Sequence, residues 1–345
     1  MLGNKKLERR EFIKRIAGLG GLACLAAFLP SCLRQELRRE ESVMTKISLV
    51  RTKDRAEGTR RAVDLLKINP VKGKKVVIKP NFNTADPAPG STHNDTLRSL
   101  VMKLKEMGAS KITLAERSGP GDSTHNIIEK KGVFAMAKEL GFDVLDMQAM
   151  PKENWVKFTP PDSHWKDGFL FPKIYREAES VVLTCCLKTH QFGGHFTMAL
   201  KCAVGMVPPG LRDAGGYPYM NELHSSTYQR QMIAEINTAY SPVLVVMDGV
   251  EAFVEGGPHV GKRVNADVIL AGTDRVANDA VGVAILRLLG TTPEVSKGKI
   301  FAQDQIKRAA ELGLGVKSAD QIEIITGDKE SEAFAVKVRE VLGEG

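Results

Sequence analysis

The sequence predicts an α/β fold, a doubly wound and mostly parallel sheet with helices on both faces, built as one large domain or two lobes. Two observations carry that expectation. Short β-rich runs alternate with segments of helical period from about residue 47 to residue 325. Polar and glycine residues gather directly after the strand ends, where open α/β sheets bind ligands. No internal repeat or low-complexity tract interrupts this rhythm.

The chain opens on a segment of a different kind. Arg9 and Arg10 precede Glu11, Phe12, Ile13 and Lys14, a close match to a twin-arginine export signal, and Ile16 to Pro30 supply a modest apolar run. With three glycines in fifteen residues, that run is short and weakly hydrophobic for a membrane span, although a short anchor is the alternative. Residues 1–32 are therefore read as a signal peptide that engages the twin-arginine translocase. Leu29, Pro30, Ser31 and Cys32 resemble a lipoprotein box apart from the proline, so Cys32 is either a lipidated tether or an ordinary cysteine. The expected destination is the periplasm or the cell surface, lipid-anchored if Cys32 is modified. Export in the folded state raises the expectation of a bound cofactor. Residues 33–44 form a charged linker, and 45–345 the α/β domain.

Strands are expected at Ile47–Val50, Lys75–Ile78, Lys111–Ala115, Ser180–Thr184, Val243–Met247, Val268–Ala271 and Ile322–Ile325. Between them, Leu97, Leu100, Val101, Leu104 and Met107 make one apolar stripe over Asn94–Met107, with Gly108 as the stop. Residues 151–171 hold both tryptophans, Trp155 and Trp165, among several prolines, and read as an inserted β-rich excursion or a lid. Residues 207–219 read as a flexible loop. Asp274 is placed to cap the helix that follows it.

Composition is that of an ordinary globular protein, 43% hydrophobic and 26% charged. The net charge of +8 is misleading, because residues 1–40 carry nine basic and four acidic side chains; the rest of the chain holds 40 basic and 37 acidic, or +3. With no basic cluster interleaved with aromatics, nucleic acid is not an expected partner. Cys24 and Cys32 lie in or beside the signal, leaving Cys185, Cys186 and Cys202. That spacing holds no ferredoxin-type iron-sulfur motif and no disulfide framework.

Four strand-to-loop junctions carry the candidate chemistry. Lys79 and Asn81 follow the first, where a lysine can meet a substrate anion as a point charge. Glu116, Arg117, Ser118 and Gly119 follow the second and read either as part of a site or as a charged turn. The third is the richest: Lys188, Thr189, His190, Gln191, Phe192, Gly193, Gly194 and His195, then Lys201 and His224. Imidazoles here could move protons or hold a metal, and glycines let a ligand approach the backbone. His190 and His195 are five apart in a loop, which is not the helical pair of a zinc hydrolase. Asp248 ends the fourth, placed to orient a histidine, hold a metal or accept from a substrate hydroxyl. The resulting assignment makes His190, Lys201 and Asp248 catalytic, Lys79, Asn81, Lys188, Gly193 and Gly194 substrate-binding, and His224 and His195 metal-binding.

In this order, IKPNF (78–82), LKTH (187–190), ALKCAVGMVPPG (199–210), His224, DGVEAFVEGGP (248–258) and ILAGTDRVANDAVG (269–282) resemble the domain-of-unknown-function-362 family. The stretch from His190 to Gly210 is more remotely similar to the nickel-pincer lactate racemases. That resemblance implies a proton-transfer role for His190, cofactor attachment at Lys201 and a nickel ligand at His224, with a transition metal or a nickel-type organometallic cofactor. Glu116 and Arg117 stand where those racemases have a second histidine. The expectation is thus an exported enzyme acting on a small anion with a metal or bound cofactor. The alternatives are a non-catalytic binding protein for an anion or metallocofactor, or an accessory redox partner.

Overall fold

The computed structural model describes residues 44–193, 195–208 and 216–344. The signal peptide with Cys24 and Cys32, almost all of the charged linker, Gly194 and most of the 207–219 loop lie outside the described residues. No helix among the described residues is long and apolar enough to cross a membrane.

Eleven strands are described: β1 (Thr45–Arg51), β2 (Lys75–Lys79), β3 (Lys111–Glu116), β4 (Asp143–Asp146), β5 (Trp155–Phe158), β6 (Phe169–Pro172), β7 (Ser180–His190), β8 (His195–Phe196), β9 (Pro242–Gly256), β10 (Gly261–Gly272) and β11 (Ile322–Ile325). The main sheet runs β11-β1-β10-β9-β7-β2-β3-β4, with β8 paired to β7. Along this path every neighbouring pair is parallel except the two that involve β10. The mostly parallel sheet is as expected. The reversal at β10 follows from its connection to β9, which is far too short for a crossover and so forms a hairpin. Both strands also run well past the apolar runs that mark them in the sequence, because the ribbon continues to pair with itself past the residues that β1 pairs, from Glu251 opposite Asn265 to Gly256 opposite Gly261.

The helices that matter to the site are α1 (Arg55–Leu65), α2 (Asn94–Glu106), α3 (Thr124–Lys130), α4 (Val133–Leu140), α5 (Tyr219–Ser225), α6 (Gln229–Ile236) and α7 (Arg275–Leu288). The starts of α1, α2, α3 and α7 are capped by polar side chains. Asp54 accepts from the Ala56 and Glu57 amides ahead of α1, and Asp274 accepts from Val276 and Ala277 ahead of α7, the capping role its position suggests. The stripe on α2 is buried as its period predicts, and Gly108 leaves the helix with φ +83°.

Each face of the sheet carries its own apolar layer. Ile78, Leu114, Val182, Val246 and Ile269 pack with α1 to α4; Val77, Leu183, Val245 and Leu270 pack on the opposite side with α7. Each such side chain contributes about 1.5–3 kcal/mol relative to exposure. The 151–171 excursion belongs to the second layer. It forms the antiparallel pair β5–β6, and Trp155 and Trp165 are both buried, with Trp165 against Phe169 at 5.2 Å between ring centroids. Of the two expectations for this segment, the β-rich insertion is met and the lid is not, because a lid would not be pinned by two buried indoles.

Candidate active site

β2 lies between β3, which follows it in the chain, and β7, which arrives much later. Connections on its two sides therefore leave in opposite directions, and a crevice opens beyond the carboxyl ends of these strands. Lys79, Glu116 and His190 are the last residues of β2, β3 and β7. They line one cavity of about 70 Å³ together with Asn81, Asn83, Arg117, Lys201 and Gly205.

The floor of the cavity is a buried ion pair. Lys79 Nζ lies 2.5 Å from Glu116 Oε1 and also donates to the Pro80 carbonyl at 2.7 Å. The amides of Phe82 and Arg117 donate to the Glu116 carboxylate at 2.9 and 2.8 Å. Burial pushes the Glu116 carboxyl up, against the pull of Lys79 and these two amides. Every oxygen of Glu116 is thereby engaged, which makes it a fixed anchor for the two strand ends.

Lys201 sits on a 3₁₀ segment, Leu200–Met206, that is tied down at both ends. At the start, the amides of Ala199 and Leu200 donate to Asp279 Oδ1 and Oδ2 at 2.7 and 3.1 Å. At the end, the Arg117 guanidinium donates to the carbonyls of Val204 and Val207 at 2.6 and 2.7 Å. Gly205 is needed within it, since a Cβ there would come within 2.9 Å of Lys79 Cε and Nζ. Burial pushes the Asp279 carboxyl up to about 7.

The Lys201 side chain enters the cavity with 8% of its surface exposed and makes no hydrogen bond to a described residue. Burial, and then the charges of Lys188 and Arg117, lower its pKa from 10.5 to about 8. His190 is also buried, and its Nδ1 accepts from the Phe192 amide at 3.2 Å. That bond assigns the ring proton to Nε2. Burial first, and then the neighbouring Lys201 and Lys188 charges, hold the imidazole far below its ordinary pKa, so it is neutral at any physiological pH.

Of the residues the sequence singles out, Lys79, Asn81, His190 and Lys201 come together here. Two are placed elsewhere. Lys188 is fully buried, with its ammonium donating to the carbonyls of Gly90 and Pro258 at 2.6 and 2.9 Å, so it braces two loops instead of contacting a substrate. Asp248 lies in the α1–α2 layer, where Arg55 Nε is 2.9 Å and Thr96 Oγ1 2.7 Å from its Oδ2 and the Val250 amide donates to its Oδ1 at 3.1 Å. A carboxylate held by three donors is a structural tie, not a catalytic group.

The remaining three described residues lie beside the cavity. Gly193 and His224 line a neighbouring open pocket with Phe192 and Arg230. His224 Nδ1 is 2.6 Å from the Met220 carbonyl, and His195 Nε2 is 3.5 Å from the Arg230 guanidinium. No three His, Cys, Asp or Glu side chains are grouped to hold a metal ion among the described residues. Lys201 and His224 also open onto different pockets. A three-ligand metal centre is thus not assembled at His195 and His224, although Lys201 is near enough to His224 for its charge to add to the burial that lowers the His224 pKa.

Sequence reasoning left Glu116 and Arg117 without a role and did not single out Asn83, Gly205 or Asp279 for one. Glu116 had a visible signal: a carboxylate ends a strand next to the strand that ends in Lys79. Asp279 had another, an acid in the midst of the apolar run of α7.

The fold and cavity define an open α/β protein with a cation-rich pocket at a switch in strand order. This chain belongs to the family described as Domain of unknown function (DUF362), whose model matches residues 76–284 and so includes every residue named above as lining the cavity. No curated protein matches the chain significantly. Among solved structures it is similar to the lactate racemase apoprotein from Thermoanaerobacterium thermosaccharolyticum, at 12% identity and a TM-score of 0.40, with 86% of this chain and 85% of that one covered.

Proposed function

We propose that the chain is an enzyme acting on a small carboxylate or similar anion, and that the cavity beyond β2, β3 and β7 is its active site. One observation carries this reading: a buried lysine without a hydrogen-bond partner among the described residues shares a cavity with a neutral histidine. A buried ammonium needs a counter-charge, and an anionic ligand supplies one. Asn81 and Asn83 add amide groups for orientation. His190, with its proton on Nε2, serves as the group that donates to a substrate oxygen and recovers a proton afterwards. The twin-arginine segment at Arg9 and Arg10 supports delivery of this enzyme beyond the cytoplasm, which lysine replacement of both arginines in the native host would abolish.

The test is calorimetric titration with small carboxylates, alongside deuterium incorporation from D₂O into their C–H positions. Lys201→Met is expected to weaken binding at least about tenfold. His190→Ala is expected to keep binding and lose deuterium incorporation. Binding untouched by Lys201→Met would remove the proposal. Tight binding without any exchange in the unaltered chain would favour an anion-capture protein built on the same cavity.

A further inference from the structure

We propose that Lys201 is a covalent site, an amine that condenses with the carbonyl of a small 2-oxo acid to form an imine. The inference rests on the anion-site reading above and names the substrate class for it. Its basis is the placement of the amine. Lys201 is 8% exposed, faces a cavity, and has no hydrogen-bond partner among the described residues to hold its lone pair or protons. By contrast Lys79, Lys103 and Lys188, the other lysines buried to a similar degree, are each engaged with carboxylates or backbone carbonyls.

The surroundings act on it in the direction this chemistry needs. Burial, and then like charges from Lys188 and Arg117, disfavour the ammonium, so a large share of the amine is unprotonated near pH 8. The segment that carries it is clamped by Asp279 at one end and Arg117 at the other, so the nitrogen approaches a bound carbonyl from a fixed direction.

The step balances without any further reactant. The Lys201 lone pair attacks the carbonyl carbon and a C–N bond forms, while the carbonyl oxygen takes a proton from His190 Nε2. The nitrogen then gives up a proton to the ring. As the C=N bond forms, the ring passes that proton to the hydroxyl, the C–O bond breaks and water leaves, and the ring recovers the last proton from nitrogen, so that two N–H bonds are exchanged for the second O–H bond of water and the one first supplied by His190. Neither oxidant nor reductant is consumed. The carboxylate of the oxo acid lies among the cationic groups of the cavity, which distinguishes this ligand from a neutral aldehyde.

The full chain, purified from its native host, is treated with pyruvate and borohydride and mapped by peptide mass spectrometry. The expected result is a reduced pyruvate adduct on Lys201, in excess over an exposed lysine such as Lys297 by about tenfold or more, and forming faster as pH rises through about 8. Lys201→Arg, which keeps the charge, is expected to lose the adduct, and His190→Gln to form it more slowly. Equal labelling of Lys297 and Lys201, or a Lys201 already carrying another covalent group in the native chain, would overturn the inference. Lactate, which has the carboxylate but no carbonyl, separates the two levels: if calorimetry shows lactate bound and borohydride traps nothing at Lys201, the imine fails and the anion site stands. If lactate and pyruvate both fail to bind, the site reading fails with it.

Discussion

Two charged clusters lie at the carboxyl ends of the sheet, and they differ in one respect. In the cluster beside α1 and α2 the charges meet their opposites: Arg55 meets Asp248 and Glu251, each at 2.9 Å, and Glu251 meets Arg263 at 3.1 Å. Burial works against the Arg55 charge, yet Asp248 and Glu251 hold its guanidinium above its ordinary pKa. In the cavity beyond β2 and β7, Glu116 is consumed by Lys79, and Lys201 is left with cations as its electrostatic neighbours. The first cluster is complete as it stands. The second leaves an amine without a counter-charge among the described residues, and on that difference the anion-site proposal rests.

The largest expected effect breaks the complete cluster. Arg55→Met strands Asp248 and Glu251 and is expected to cost about 3–5 kcal/mol in urea unfolding, because the buried carboxylate loses its charge partner. A loss below about 1 kcal/mol would mean that the cluster is as tolerant as a surface pair.

Next comes the opposite sign. The pKa of Lys201 is lower folded than unfolded, so the folded chain releases this proton first. Between pH 8 and 10.5 the unfolded chain holds a proton that the folded chain has lost, and stability from this group rises with pH across that window. Below pH 8 the penalty is present in full. Lys201→Met is therefore expected to stabilise the ligand-free chain at pH 7 by up to about 3 kcal/mol, with the gain shrinking toward pH 10.5. Destabilisation at pH 7 would show that the amine has a protein partner after all.

The smallest effect sharpens the geometry. Gly205→Ala drives a Cβ to 2.9 Å from the Lys79 side chain and 3.1 Å from the Arg117 carbonyl, with an expected cost of about 1–3 kcal/mol and weaker anion binding. An unchanged calorimetric affinity would place the anion away from Lys79.

Much of this was legible in the sequence. The strands β2, β3 and β7, the stripe on α2 and the cap at Asp274 all follow from local pattern, and four cavity residues follow from their position after strands. What was not legible has physical reasons. Asp248 follows Met247 by one residue and so faces the opposite layer, but a parallel strand buried on both sides carries no alternation to reveal it. Lys188 and Lys201 look alike in sequence and differ only in whether carbonyls from distant loops come within reach. The pairing of β10 with β1 joins residues more than two hundred positions apart, beyond any local signal.

The brace at Lys188 has a mechanical corollary. Its ammonium ties the Gly90 loop to the tip of the β9–β10 ribbon, and the Pro258 end of that tie borders the cavity. Swinging either loop outward by itself would leave a positive charge with half its solvation in a dry interior. The two loops consequently share one fate, forming a rigid jamb on this flank of the cavity.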